Sequence, residues 1–149
     1  MDIAPEAGTV MIMETTVDLL LSISAALIGS GCILQVWAFF LFKSNQRKFD
    51  FIMSEFQRIN LQIDITTQVA NHFPSLFHHN KVSYFARLYK GVTMYHKKNE
   101  RVGAETYNFV QNLPSEKIKW LLIVHNLNLI SALLLFSGAI TILIYKYTH

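Results

Sequence analysis

The residues best placed to do chemistry in this chain are polar side chains set among apolar neighbours. Gln35, His125, Asn126 and Asn128 each sit within a long run of residues that carry no formal charge. In hydrocarbon an unpaired amide or imidazole is costly, so each of these groups needs a partner or a wet cavity. Gln35 lies eight residues before Lys43, and the other three lie six to nine residues after Lys119. In an antiparallel helix pair those positions share one depth, roughly 10–13 Å from the basic ends at 1.5 Å per residue. Two chemistries follow. One is interhelical hydrogen bonding, at about 0.6 kcal/mol per bond and seldom above about 2 kcal/mol. The other is a polar constriction in a pore assembled from several copies. Hydrogen bonding is the simpler expectation.

Other groups carry less. His72, His78 and His79 match no standard metal-ligand spacing and read as neutral surface histidines. Arg87 and His96, with eight residues between them, are too far apart for the Arg-to-His spacing of a helical ribonuclease. His125 has no second intramembrane histidine with which to share a haem iron. There is no phosphate loop, GxSxG elbow, HExxH or CxxC motif. Cys32 is the only cysteine, so no intrachain disulfide can form, and it reads as a small intramembrane residue. The expectation is a protein that is not an enzyme, with no metal and no cofactor.

The elements that hold these residues are plain in the charge distribution. Of the 149 residues 52% are hydrophobic and 15% charged, and the mean hydropathy is positive. A soluble domain carries about 25% charge. The deficit comes from two uncharged runs, Leu19–Phe42 with 24 residues and Trp120–Tyr145 with 26. About 20 apolar residues suffice for a helix to cross a hydrocarbon core of ~30 Å, so both are expected to span a bilayer with length left for tilt. Residues 1–18 contain no Lys or Arg and four acids, which is the opposite of a signal-peptide leader. Gly29-Ser30-Gly31-Cys32 lacks the leucine and the basic leader of a lipoprotein cleavage box.

Twelve of the thirteen Lys and Arg residues lie between the runs, and Lys43, Arg47, Lys48, Lys117 and Lys119 abut the membrane ends. By the positive-inside rule the central segment 43–119 faces the cytoplasm of an inner (plasma) membrane protein, and residues 1–18 and 146–149 are periplasmic tails. Trp37, Phe39, Phe40 and Trp120 near the inner interface, and Tyr145 and Tyr147 near the outer, agree with that orientation. The segment holds twelve basic and six acidic residues, a surplus that attracts anionic headgroups at about 1 kcal/mol per basic residue near the surface. The basic residues form no clustered stripe of the kind that nucleic-acid binders carry, so no specific nucleic acid is expected.

No Gly or Pro occurs from Cys32 to Phe73 until Pro74 follows, so the first membrane helix is expected to continue unbroken into the cytoplasm and to end at Pro74. Phe49, Ile52, Met53, Phe56, Ile59 and Ile63 follow the three-and-four spacing of an amphipathic helix and form a stripe suited to self-association. A second helix is expected from Lys81 to about Lys98, with Gly91 tolerated inside it, and a third from Ala104 to Gln111. On the first span, Ser22, Ala26 and Ser30, or Ala25 and Gly29, form small-residue rows for helix packing, with Ser131, Ala132, Gly138 and Ala139 on the second. The fold class is therefore all-α, two transmembrane helices flanking a helical cytoplasmic segment.

Lys81–His96 (KVSYFARLYKGVTMYH), the preceding Pro74-Ser75-Leu76-Phe77 and the terminal His149 resemble the universal stress protein B family of short two-pass bacterial membrane proteins. The present chain is longer, with a more extended first cytoplasmic helix. The resemblance implies a bacterial inner-membrane protein linked to the stress response, and it brings no catalytic residues. The leading expectation is a self-associating, non-enzymatic regulatory or accessory component acting through its cytoplasmic helices. Its partners are the lipid bilayer, further copies of itself and other membrane proteins. The alternatives are an oligomeric pore or membrane-perturbing effector, as in phage lysis or antiphage defence, and an accessory subunit of a larger membrane complex.

Overall fold

A computed structural model of the chain describes residues 7–59, 78–97 and 100–148. Five helices account for most of them: α1 (Ala7–Ser44), α2 (Gln46–Arg58), α3 (His78–Tyr89), α4 (Ala104–Gln111) and α5 (Ser115–Thr148). A short antiparallel ribbon, β1 (Tyr95–Lys97) with β2 (Glu100–Arg101), separates α3 from α4. Among the described residues the fold is thus helical apart from this five-residue ribbon and the connecting turns. The expected end of the first helix at Pro74, together with Ile63, His72 and His149, lies outside the described residues.

The long first helix is jointed. Asn45 adopts φ −103° and ψ 11°, and its amide N–H is shared between the carbonyls of Leu41 and Phe42 at 3.2 and 3.0 Å. Its side-chain Nδ2 donates to the Leu41 carbonyl at 2.9 Å. An asparagine competes for backbone partners in this way, which is why a run free of Gly and Pro still bends its ladder. The ladder resumes at once, with Phe49 N–H donating to the Asn45 carbonyl at 3.1 Å.

Two compact units divide the chain: Met1–Val36 with Leu129–His149, here the hairpin, and Trp37–Asn128, here the head. In the hairpin α1 and α5 run antiparallel. The Ser131 hydroxyl donates to the Gly31 carbonyl at 2.8 Å, across 100 residues of sequence. A Cβ on Gly31 would fall 2.9 Å from Leu135 Cγ, and one on Gly138 would fall 2.6 Å from Ile28 Cγ1. The glycines let the backbones close to a distance that larger residues forbid. Between Thr15 and Val36 the buried small residues of α1 are Ser24 and Gly31, whereas Ser22, Ala25, Ala26, Gly29 and Ser30 are exposed.

In the head, α1 and α2 deliver Phe42, Phe49, Ile52, Met53 and Phe56 to a core shared with Val82, Phe85 and Leu88 of α3, Val110 of α4 and Ile118, Leu121 and Val124 of α5. Aromatic edges tie it together. Phe49 meets Phe85 edge-on at 5.7 Å between ring centroids and Trp120 at 6.4 Å, while Phe56 meets Phe85 at 5.4 Å and Phe109 at 5.6 Å. Such pairs add about 0.5–1.5 kcal/mol each beyond the area they bury.

The second head helix is shorter than its hydrophobic pattern implies. It stops at Tyr89 because Gly91 takes φ 70° and caps it. Val92 N–H donates to the Arg87 carbonyl and Gly91 N–H to the Leu88 carbonyl, each at 3.0 Å. These are the paired bonds of a Schellman cap, which needs a left-handed residue. The chain then turns into the ribbon in place of the expected helix to Lys98.

Candidate functional site

The four polar residues of the uncharged runs do not share one environment. Asn128 is 1% exposed, and neither amide atom has a protein partner among the described residues. His125 and Gln35 are half-buried, and Asn126 is exposed. The Asn126 side-chain carbonyl accepts a bond from Lys90 Nζ at 3.5 Å. His125 buries its Nδ1, which likewise has no protein partner among the described residues.

The stripe expected to drive self-association is used inside the chain. Phe49, Ile52, Met53 and Phe56 are all buried in the head core, so none offers a face to a second copy. Ile59 is exposed, and Ile63 lies outside the described residues. Periodicity located the buried face of α2 correctly. It did not say whether the covering surface came from the same chain, and here α3, α4 and α5 supply it.

Of the basic residues expected at the inner interface, Lys43, Arg47, Lys48 and Lys119 are exposed. Lys117 is half-buried and places its ammonium 3.9 Å from the Phe51 ring centroid, a cation–π contact. Close to these cations along α1, Trp37 and Phe40 remain 62% and 65% exposed, and Phe39 is exposed as well. Of these, a tryptophan left open near lysines is the residue type found where hydrocarbon meets headgroups.

Two features of the head were not singled out by sequence reasoning. Lys81 is buried beside the core, and its burial pushes the ammonium below the ordinary lysine range, with the Asp50 carboxylate pulling the other way. The signal was available: Lys81 adjoins Val82 and falls a turn before Phe85. The second is a shallow depression of about 420 Å³ under the ribbon, lined by Met94, Arg101, Val102, Tyr107, Asn108 and Gln111. The Tyr107 hydroxyl holds its rim, accepting from Met94 N–H and donating to the Val92 carbonyl, both at 2.9 Å. Arg101 lies 6.0 Å from the Tyr95 ring centroid. Among the described residues no three His, Cys, Asp or Glu side chains converge as a metal site would require.

The two apolar helices differ from core helices in what covers them. Thr15–Ser44 and Ser115–Tyr147 are long and apolar enough to cross a membrane, yet only 11% and 17% of their most apolar windows are buried within the chain. Leu19, Ile33, Leu133, Phe136 and Leu143 stand out from the hairpin. No family model, curated protein or solved structure matches the chain.

Proposed function

We propose that the protein is a two-pass membrane protein whose hairpin anchors a folded helical head on the cytoplasmic side, and that the head acts as a non-enzymatic regulatory or accessory component. The observation that carries the reading is a contrast along the same two helices. Their outer portions bury no large apolar side chain fully and leave most of them exposed, while their inner ends are sealed into an aromatic core. An uncovered apolar surface on all sides of a helix pair is what a bilayer solvates. A core closed within one chain is what lets the head keep its shape.

Residue counting refines the span boundaries. Asp18 to Ala38 and Lys146 to Asn126 are each separations of twenty residues, about 30 Å of helix and equal to one hydrocarbon thickness. The surplus turns of the two uncharged runs, around Phe42, Trp120, Leu121 and Val124, then belong to the head, where these side chains are buried. Lys90 bonded to Asn126 suits that assignment, since an ammonium at that level belongs in the headgroup layer rather than in hydrocarbon.

The pore reading has less support. It needs Gln35, His125 and Asn128 to line a common lumen, and Asn128 is directed into its own chain. The experiment that separates the readings is native mass spectrometry of nanodiscs cut directly from the membrane. The anchored-head reading expects one or two copies, alone or with stoichiometric partner proteins. Four or more copies, with loss of membrane potential on overexpression, would replace it with the pore.

A further inference from the structure

The depression beneath the ribbon has fixed walls. On one side the chain leaves α3 through the left-handed Gly91, and the Tyr107 hydroxyl then holds the Val92 carbonyl and the Met94 N–H at 2.9 Å each. On the other, Val102 N–H donates to the Met94 carbonyl at 3.0 Å, which ties the chain leaving the ribbon to the chain entering it. Val102 is buried and Met94 half-buried, and with Tyr107 they give the depression an apolar lining. Asn108 and Gln111 stand three residues apart on one face of α4, and both are exposed. The Gln111 amide nitrogen lies 3.6 Å from the point that a Cβ on Gly91 would occupy, so it reaches the end of the depression next to α3. Arg101 adds an exposed guanidinium from the second strand. Val92 and Tyr95, which flank the lining residues in sequence, stay exposed as well. An apolar lining, a few convergent polar groups and a volume of about 420 Å³ are the make-up of a ligand site.

We propose that this depression binds the C-terminal carboxylate of a partner protein whose last residue is apolar. Each wall contributes to that choice. A single guanidinium fork matches the two oxygens of one carboxylate. The carboxamides of Asn108 and Gln111 each carry donors and an acceptor, which complement the N–H and C=O of the peptide group beside that carboxylate. The lining of Met94, Val102 and Tyr107 takes an apolar side chain out of water. Capture of a chain terminus is a recurring mode of peptide recognition. The shape separates a chain end from a free organic acid. A small-molecule site encloses most of its ligand, whereas this depression is shallow and leaves one side of its occupant in water, as a chain continuing outward requires. The site rests on the accessory-component reading, for which it supplies the point where the head meets its partner.

The test uses the full-length protein in detergent micelles, with isotope-labelled methionine methyl groups followed by NMR and N-acetyl-leucine as the probe. The Met94 methyl signal, assigned by its loss in Met94→Leu, reports binding at the depression itself. N-acetyl-leucine should shift that signal saturably, and Arg101→Gln should weaken the binding about tenfold or more, the worth of a charged hydrogen bond. Arg101→Lys keeps the charge without the fork and should fall between the two. Arg47→Gln removes an equal charge from an exposed position on α2 outside the lining and should leave the binding unchanged. N-acetyl-leucinamide, which has the same body and no carboxylate, should bind about tenfold more weakly or worse. A short peptide ending in leucine should bind at least as well as N-acetyl-leucine, because its upstream chain leaves through the open side. No saturable shift at Met94, equal affinity for the amide, or equal losses in Arg101→Gln and Arg47→Gln would overturn the site. A peptide that binds more weakly than N-acetyl-leucine would overturn the partner and make the ligand a free acid. Release of the native protein from membranes by alkaline carbonate would defeat the anchored-head reading while leaving the micelle titration standing, so the two failures are told apart.

Discussion

Gly138→Ala tests whether the two apolar helices pack as the hairpin requires. The new Cβ would stand 2.6 Å from Ile28 Cγ1 and 3.3 Å from the Ser24 carbonyl oxygen. Ile28 is β-branched and held to one rotamer in a helix, and the carbonyl belongs to the backbone, so neither can move aside cheaply. Overpacking of this kind costs about 1–3 kcal/mol. Gly31→Ala meets the Leu135 side chain at 2.9–3.0 Å, a softer obstacle, and should fall at the lower end of that range. Gly29→Ala meets nothing within 4 Å and should leave the hairpin unchanged or slightly firmer through helix propensity, by at most about 1 kcal/mol. The assay is energy transfer between labels at the outer ends of α1 and α5, in a Cys32→Ser background, as the micelle is titrated with dodecyl sulfate. The expected order of lost stability is Gly138→Ala, then Gly31→Ala, with Gly29→Ala at the wild-type level. A Gly29→Ala variant as damaged as Gly138→Ala would refute the packing register.

Three further outcomes follow from single residues. Asn128→Leu should stabilise the protein, by about 1–2 kcal/mol in the same titration, because it removes an unpaired buried amide of similar size; a loss of stability would mean the amide has a partner. Gly91→Ala forces a side chain into φ 70° and should destabilise the head by about 1 kcal/mol or more in thermal unfolding, with Asn tolerated better than Ala. Lys81→Met should raise the head's unfolding temperature at neutral pH. Since burial lowers the Lys81 value in the folded state, the unfolded chain holds the proton more tightly and wild-type stability rises with pH as that proton is lost. The advantage of Lys81→Met should therefore shrink as the pH approaches about 10, and a constant advantage would contradict the cause.

Much of the helical plan was legible because it rests on signals local to the chain. The absence of charge marked the two long helices, three-and-four spacing marked the buried face of α2, and the helix Ala104–Gln111 has the bounds expected for it. What escaped depends on partners. The row Ser24, Ile28, Gly31, Gln35, Ala38, Phe42 steps by four and three along α1, continues through Asn45 to Phe49, Ile52 and Phe56, and from Thr15 to Arg58 holds every buried position but Met53. On α5, Leu121, Val124, Asn128, Ser131, Leu135 and Gly138 step likewise. That is the heptad seam of packed helices. It was readable in principle, but the competing rows through Ser22, Ala25 and Gly29 are just as small, and only the facing helix decides between them. Gly91 escaped for a different reason: a glycine can be endured inside a helix or can end one, and the outcome turned on Tyr107 holding the chain beyond it.

The candidate site was half visible. Asn126 and His125 were noticed as polar groups in an apolar run, while Lys90 was read only as a topology charge. The contact of Lys90 with Asn126 depends on the end of α3 meeting α5, which no spacing within either helix encodes.

The measurement that bears most directly on the account is the sidedness of single cysteines in intact cells, using a membrane-impermeant maleimide in the Cys32→Ser background. Thr9→Cys and Tyr147→Cys should label in intact cells, while Asn112→Cys in the head should label only after the membrane is opened. Labelling of Asn112→Cys in intact cells, or of all three alike, would contradict a two-pass anchor with its head on the cytoplasmic side.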